Sequence, residues 1–366
     1  MKKIIFTAHC LLSFIIAFCL LPTANCLAGN PNRAGSAGAS ELLINPWARS
    51  SGWGEANMAS VRGLEAMYSN VAGCAFTKKT EILFAHTRWL GGTGIDINAF
   101  GFTQKVGETS VLGLGIMSMS FGEIEKTTVD VPEGGIGYFS PTYMNLGLSY
   151  SKEFSRSIYG GMALKVITEK ISDVSASGVA FDAGIQYVTG IVKGQTDNLK
   201  FGISLKNVGP AMSYSGDGLS FREVLSANQV NMTVEQRSAK FEMPSCLNVG
   251  VTYDFYLGGS DSLGVSPMHR ITAAINFRSN SFIKDQYMLG VEYGYKSFLM
   301  IRAGYTYENG IFKTAERTTV LTGPSAGITF EIPLSKENGT TFGLDYSYRA
   351  TNPFQGIHTI GARINI

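Results

Sequence analysis

Leu299-Met-Ile-Arg-Ala-Gly-Tyr-Thr-Tyr307 decides the fold. Successive side chains of an extended chain point to opposite sides. Leu299, Ile301, Ala303, Tyr305 and Tyr307 therefore share one face, against Met300, Arg302, Gly304 and Thr306. The same alternation sets Val179, Phe181, Ala183, Ile185 and Tyr187 against Ala180, Asp182, Gly184 and Gln186. It sets Leu199, Phe201, Ile203 and Leu205 against Lys200, Gly202, Ser204 and Lys206. At the end of the chain Ile360, Ala362, Ile364 and Ile366 oppose Thr359, Gly361, Arg363 and Asn365. One face is greasy and the other is polar or small, as in a wall between lipid and an aqueous lumen.

Fourteen segments carry this pattern: 81–90, 94–105, 110–122, 142–152, 157–170, 178–188, 198–207, 245–256, 270–278, 286–295, 298–307, 325–332, 341–349 and 356–366. A soluble sandwich would alternate too. Tyrosines near strand ends (Tyr293 with Tyr295, Tyr305 with Tyr307, Tyr346 with Tyr348) instead suggest an interfacial girdle. Connection lengths also alternate: 105–109, 153–156 and 296–297 are tight, whereas 123–141, 208–244 and 308–324 are long. The 257–269 connection is a longer inner one that blurs the pattern. Short turns on one side and long loops on the other mark a transmembrane barrel.

The composition agrees. Only 16% of the 366 residues are charged, 43 are glycine, and the formal net charge is +2, so no basic field points to nucleic acid. Met1-Lys-Lys3 followed by an apolar run from Ile4 to Leu21, with Ala24, Ala28 and Gly29 beyond, reads as a signal peptide over residues 1–28 cleaved near Ala28. Lipidation at Cys26 is the alternative, but Asn25 before it is a poor small residue. No later run reaches the roughly 18 apolar residues of a membrane helix. The expectation is an antiparallel transmembrane β-barrel of about 14 strands in a bacterial outer membrane, over residues 79–366.

Residues 29–78 do not alternate. Met58, Val61, Leu64, Glu65 and Tyr68 recur at three- and four-residue spacings, a helical period. A barrel of this size has an interior too wide for its own side chains to fill, so this segment is expected to form a partly helical hatch in the lumen. Trp47 and Trp53 should pack on the inner wall, Gly52 and Gly54 should permit a tight turn, and Asn70 should contact the lumen. Arg49 should form an inward ion pair with Asp182, Glu292 or Asp345. Asp182, Lys200, Lys206, Asp254, Glu292, Arg302, Asp345 and Arg363 point inward, either as a network binding the hatch or as a generic wet interior.

No HExxH, GxSxG, GxxxxGK or paired CxxC occurs, so no enzyme, metal or cofactor is expected. His86, His269 and His358 read as separate girdle residues, and Cys74 and Cys246 as independent apolar residues or a single bridge. The 208–244 loop is unusually apolar, with Tyr214, Phe221, Val224, Leu225, Val230 and Met232, and residues 221–227 could form a short amphipathic helix. It either binds a partner or folds inward as a cap. The 123–139 loop, with Tyr138 and Phe139, would supply neighbouring surface.

Leu42-Leu-Ile-Asn-Pro-Trp-Ala-Arg49-Ser-Ser-Gly52-Trp-Gly54-Glu-Ala-Asn-Met-Ala59, followed by Glu65-Ala-Met-Tyr68-Ser-Asn70-Val-Ala-Gly73, resembles the N-terminal signature of the PorV/PorQ family. These are FadL-like outer-membrane barrels of the Bacteroidetes type IX secretion system. Val71 stands where the family pattern has proline. Phe201-Gly-Ile-Ser-Leu-Lys-Asn207-Val-Gly-Pro210 also resembles a family segment. The resemblance spans the mature chain and implies a non-enzymatic role. Its partners would be secreted cargo proteins and components of the type IX translocon or attachment complex, with outer-membrane lipid around the barrel. FadL relatives instead pass hydrophobic molecules through the barrel wall, and that is the second expectation. A lipid-modifying enzyme ranks third, because no nucleophile–base pair can be read.

Overall fold

An open sheet with one greasy face would leave unpaired backbone at two edges inside lipid, and closure removes both. The computed structural model describes residues 29–192, 195–225, 230–257, 268–335 and 339–366. Residues 1–28, and with them the expected signal peptide, lie outside the described residues. The wall is built from β1 (Thr80–Trp89), β2 (Ile95–Val106), β3 (Ser110–Ser120), β6 (Thr142–Glu153), β7 (Ile158–Ile171), β8 (Val174–Thr189) and β9 (Leu199–Val208). It continues through β12 (Cys246–Leu257), β13 (His269–Asn280), β14 (Gln286–Tyr295), β15 (Leu299–Glu308), β16 (Gly323–Ser335), β17 (Thr340–Arg349) and β18 (Ile357–Asn365). Each pairs antiparallel with its neighbours, and β1 closes on β18 from Glu81 opposite Asn365 to Arg88 opposite His358. All fourteen expected segments are wall strands. The largest boundary change is β8, which begins at Val174 rather than 178.

The two faces separate as the alternation requires. Ile203, Leu148 and Ile360 are more than half exposed on the outside, while Lys200, Ser204 and Arg363 are buried inside. A continuous belt of this kind has no place in water, so the chain is an outer-membrane-type β-barrel. Two further ribbons lie in the long outer loops: β4 (Ile124–Glu125) with β5 (Tyr138–Phe139), and β10 (Ser220–Leu225) with β11 (Val230–Glu235). Residues 221–225 of the expected helix are thus strand, and 226–227 lie outside the described residues. The strand pairs across to Val230–Glu235, and the β-branched Val224, Val230, Thr233 and Val234 favour that arrangement.

Residues 40–76 occupy the lumen as a partly helical segment, and the helical period at 58–68 is realised as short 3₁₀ turns and not as one α-helix. One short helix, α1 (Ala48–Gly52), is followed by 3₁₀ turns at Ala56–Ala59, Leu64–Tyr68 and Val71–Phe76. Gly54 (φ 60°), Glu55 (φ 64°) and Gly63 (φ 74°) take left-handed conformations that stop a helix each time. At Gly63 a Cβ would also meet the Glu81 carboxylate at 1.8 Å. The segment enters from the outer loops, where Arg33 pairs with Glu242 at 2.6 Å and lies over the Phe282 ring at 4.2 Å. It leaves at the opposite end, where Lys79 leads into β1.

Candidate functional site

Inward glycines make the space the lumenal segment fills. A Cβ on Gly304 would lie 2.2 Å from the Trp53 carbonyl, and one on Gly184 would lie 2.1 Å from Asn70 Oδ1. Trp53 packs in a cluster with Ala56, Ala274 and Met288. Trp47 is fully buried and meets Tyr68 edge-on at 5.8 Å. At Gly52 an added Cβ would sit 3.0 Å from Gly327 Cα, and Gly54 offers its carbonyl to the Thr306 hydroxyl at 3.0 Å.

The segment's polar backbone is met by side chains of the wall. Gln186 donates to the carbonyls of Met58 and Val61, Ser204 to that of Ser69, Lys206 to that of Tyr68 and Ser151 to that of Val71. Asn70 works in the other direction, donating to the wall carbonyl of Ile185 at 3.0 Å while its own oxygen accepts from Ala72. In a buried space each such bond removes a desolvation cost, which is why a non-helical chain can persist there.

The charges that fix the segment are Glu55 and Glu65. Glu55 sits between Arg278 (2.5 Å) and Arg349 (3.4 Å). Burial by itself would raise its carboxyl, but Arg278, Arg349 and Lys206 outweigh that and hold it at about 2. Glu65 lies 3.7 Å from Arg363 and accepts from the Ser50 hydroxyl. It is also the nearest carboxylate to Arg49, at 3.9 Å. The expected partners of Arg49 are otherwise occupied: Asp182 by Lys165, Glu292 by Arg302 and Arg270, and Asp345 by Thr329. Arg49 therefore pairs within its own segment. Of the eight expected inward charges, Lys206 and Arg363 reach the lumenal segment directly, whereas Lys200 with Asp254 and Arg302 with Glu292 join wall to wall. Glu55 and Glu65 carry no sequence signal as anchors, although alternation along β13 and β17 would have placed Arg278 and Arg349 on the inner face.

Below the segment a polar cavity of about 130 Å³ opens among Arg49, Arg62, Glu65, Lys200 and Asp254. Above it, towards the long loops, the lumen is apolar: Leu42, Ile44, Ile97, Met119, Ile167, Met212 and Met243 belong to one buried cluster. The wall beside that cluster is irregular. β9 ends at Val208 opposite Phe181, so residues 174–180 of β8 extend beyond it. The register shifts at Asp182, and Asn207 takes φ 60° there. Lys165 bridges Asp182 and Asn207, and Asn207 donates to the carbonyls of Leu42 and Pro244. The gap is covered by loop chain, with Ser215 bridging to Ser175 and Met212 to Phe241.

The outer-loop candidates divide. Tyr214 turns inward, part-buried against Phe241 (5.4 Å) with its hydroxyl on Glu169. It belongs to the cap over the gap and not to a free surface, and burial together with Glu169 raises its phenol. Phe221 (49%), Val230 (47%) and Met232 (46%) are exposed on one face of the β10–β11 ribbon, and Val224 is exposed on the other. Leu225 pairs with Val230 in the ribbon. Tyr138 is 61% exposed on β5, with Phe139 half-buried beside it. His86, His269 and His358 bond separately to Asn98, Tyr293 and Tyr346, and Cys74 and Cys246 are free and buried.

No protein-family model and no curated protein matches the chain in sequence. In structure it is similar to the toluene transporter TodX of Pseudomonas putida, with TM-score 0.52 and 12% identity over 88% of this chain and 97% of that one. The Ralstonia pickettii toluene transporter TbuX gives 0.50 and 12%, over 88% and 97%. A FadL homologue from Pseudomonas aeruginosa gives 0.50 and 12%, over 86% and 98%. At this identity the likeness is one of fold, that of FadL-like outer-membrane barrels.

Proposed function

We propose that this barrel is a component of a type IX protein secretion system that binds secreted cargo or translocon and attachment proteins at its outer face. The observation that carries the reading is the β10–β11 ribbon. Phe221, Met232 and Val230 share one of its faces, about half exposed, on the long-loop side beyond the lipid belt. Exposed apolar area on a two-stranded ribbon is costly in water, and a partner surface relieves that cost. The resemblance of residues 42–73 to the PorV/PorQ signature supplies the partner class. Glu55, Glu65 and Asn70 hold the lumen filled, which suits a docking platform better than an open pore. Removal of residues 219–236 leaves Tyr214 and Phe241 to cap the wall. The shortened barrel should fold and lose co-purification of secretion components from its native membrane. Full recovery of those components would defeat the reading.

A second reading has its own support: a conduit for hydrophobic small molecules through the wall. The overhang of β8 beyond the end of β9, beside the buried cluster that holds Leu42, Met212 and Met243, favours it, as does the fold shared with proteins described as toluene transporters. A Gly178→Cys, Met212→Cys pair would tether the covering loop to β8, since a Cβ at Gly178 lies 2.5 Å from Met212 Cγ. Toluene entry into liposomes that stops on oxidation and returns on reduction would support the conduit. Entry indifferent to the tether would remove it.

A further inference from the structure

The lipid-facing wall is unevenly filled. Phe102, Leu114, Leu148, Leu164 and Phe181 lie opposite one another in a single row across β2, β3, β6, β7 and β8. The next row towards the short turns runs Gln104, Leu112, Tyr150, Met162 and Ala183. Between the two rows stand the small, inward Gly113, Ser149 and Ala163, whose backbone forms the floor between the rows. The result is an outward apolar depression of about 690 Å³.

Below it the barrel rim is basic. Lys152 follows Tyr150 on the same outward face, in register with Ser110 and Gly160. The adjoining chain at 78–79, 105–109 and 152–157 carries Lys78, Lys79, Lys105, Lys152 and Arg156 against Glu108 and Glu153. The short-turn end of such a barrel faces the periplasm, so this rim lies at the headgroups of the inner leaflet, where phospholipid resides.

We propose that the depression is a binding site for an anionic inner-leaflet phospholipid, one acyl chain lying in the groove and the phosphodiester held at Lys152. Position excludes a soluble occupant, because the groove opens only to hydrocarbon. The apolar lining takes the chain, and the excess of cations at the rim selects a negative headgroup, which membrane surfaces present at lysine-rich edges with an energy equivalent to about fivefold in affinity per lysine.

Tryptophan fluorescence tests this in reconstituted vesicles. Trp47, Trp53 and Trp89 are buried and inward, so a Tyr150→Trp probe reports the groove, and Tyr293→Trp reports the opposite wall near the same rim. Vesicles of brominated phosphatidylglycerol should quench Tyr150→Trp with an apparent association about fivefold above brominated phosphatidylcholine. Tyr293→Trp should show no such preference, and adding Lys152→Gln should bring the preference at Tyr150→Trp close to unity. Equal quenching at both positions, or a preference untouched by Lys152→Gln, overturns the site. Protection of Tyr150→Trp from both lipids while Tyr293→Trp is quenched would assign the groove to a protein segment, and would equally overturn it. Heat-modifiable gel mobility confirms that each variant carries a folded barrel.

Discussion

Glu55 is the residue on which the lumenal segment turns. It adopts a left-handed conformation that costs energy, and it is kept there by Arg278 and Arg349, for each of which it is the nearest carboxylate among the described residues. Breaking a buried pair by removing one partner strands the other charge, a loss of about 3–5 kcal/mol. Glu55→Gln should therefore lower the melting temperature and make the barrel leaky in planar bilayers. An unchanged melting profile and conductance would refute the anchoring role. Arg49→Ala should do less, because Arg49 is partly exposed and its ion pair with Glu65 spans 3.9 Å. The pH dependence has a definite sign. Glu55 is held near 2, below the roughly 4.3 of a free glutamate. Its contribution is present in full above about 4.3 and is lost as pH falls towards 2. Protease sensitivity of the segment should rise over that acidic window in the native protein and be flat across it in Glu55→Gln.

At the scale of elements, the inward glycines and the lumenal segment are one device. Gly304 and Gly184 allow wall backbone to approach Trp53 and Asn70 more closely than any side chain would permit. Gly304→Val should therefore expel or distort the 52–55 turn, since the atoms it meets at 2.2 Å are backbone and cannot rotate away. Hydrogen exchange of residues 52–58 would show the release, while the strand amides stay protected. Unchanged protection at 52–58 would count against the packing argument. The high glycine content was visible in the sequence, and alternation placed Gly184 and Gly304 on the inner face, but their purpose was not visible, since an inward glycine reads the same whether it faces water or a plug. The helical period at 58–68 misled for a similar reason. Its apolar residues do face inward, yet they are buried on every side by the wall, so the spacing reflects general burial and not one helical face.

For the whole molecule, filling and closing are separate. The wall is held by fourteen strand-to-strand ladders and needs no plug for its hydrogen bonds. Deletion of residues 40–76 should leave a heat-modifiable barrel that conducts ions, and a non-conducting deletion protein would show that the outer loops alone seal the lumen. Strand number, strand position and facing were legible along the chain because alternation is a local property: lipid on one side and lumen on the other act on every second residue. The placement of Trp47, Trp53, Gly52, Gly54 and Asn70 could be anticipated only as far as the lumen. The wall partners of Trp53, Gly52, Gly54 and Asn70 could not, since Met288, Gly327, Thr306 and Ile185 lie more than a hundred residues away in sequence. Local alternation along the chain sufficed for the barrel, its two faces and the sidedness of its loops. Tertiary structure alone decided that Arg49 turns to Glu65, that Glu55 is the anchor, that Tyr214 folds inward while Phe221 stays out, and that β8 outruns β9. Each of these depends on which strands meet across the closed wall, a long-range geometry that no local pattern encodes.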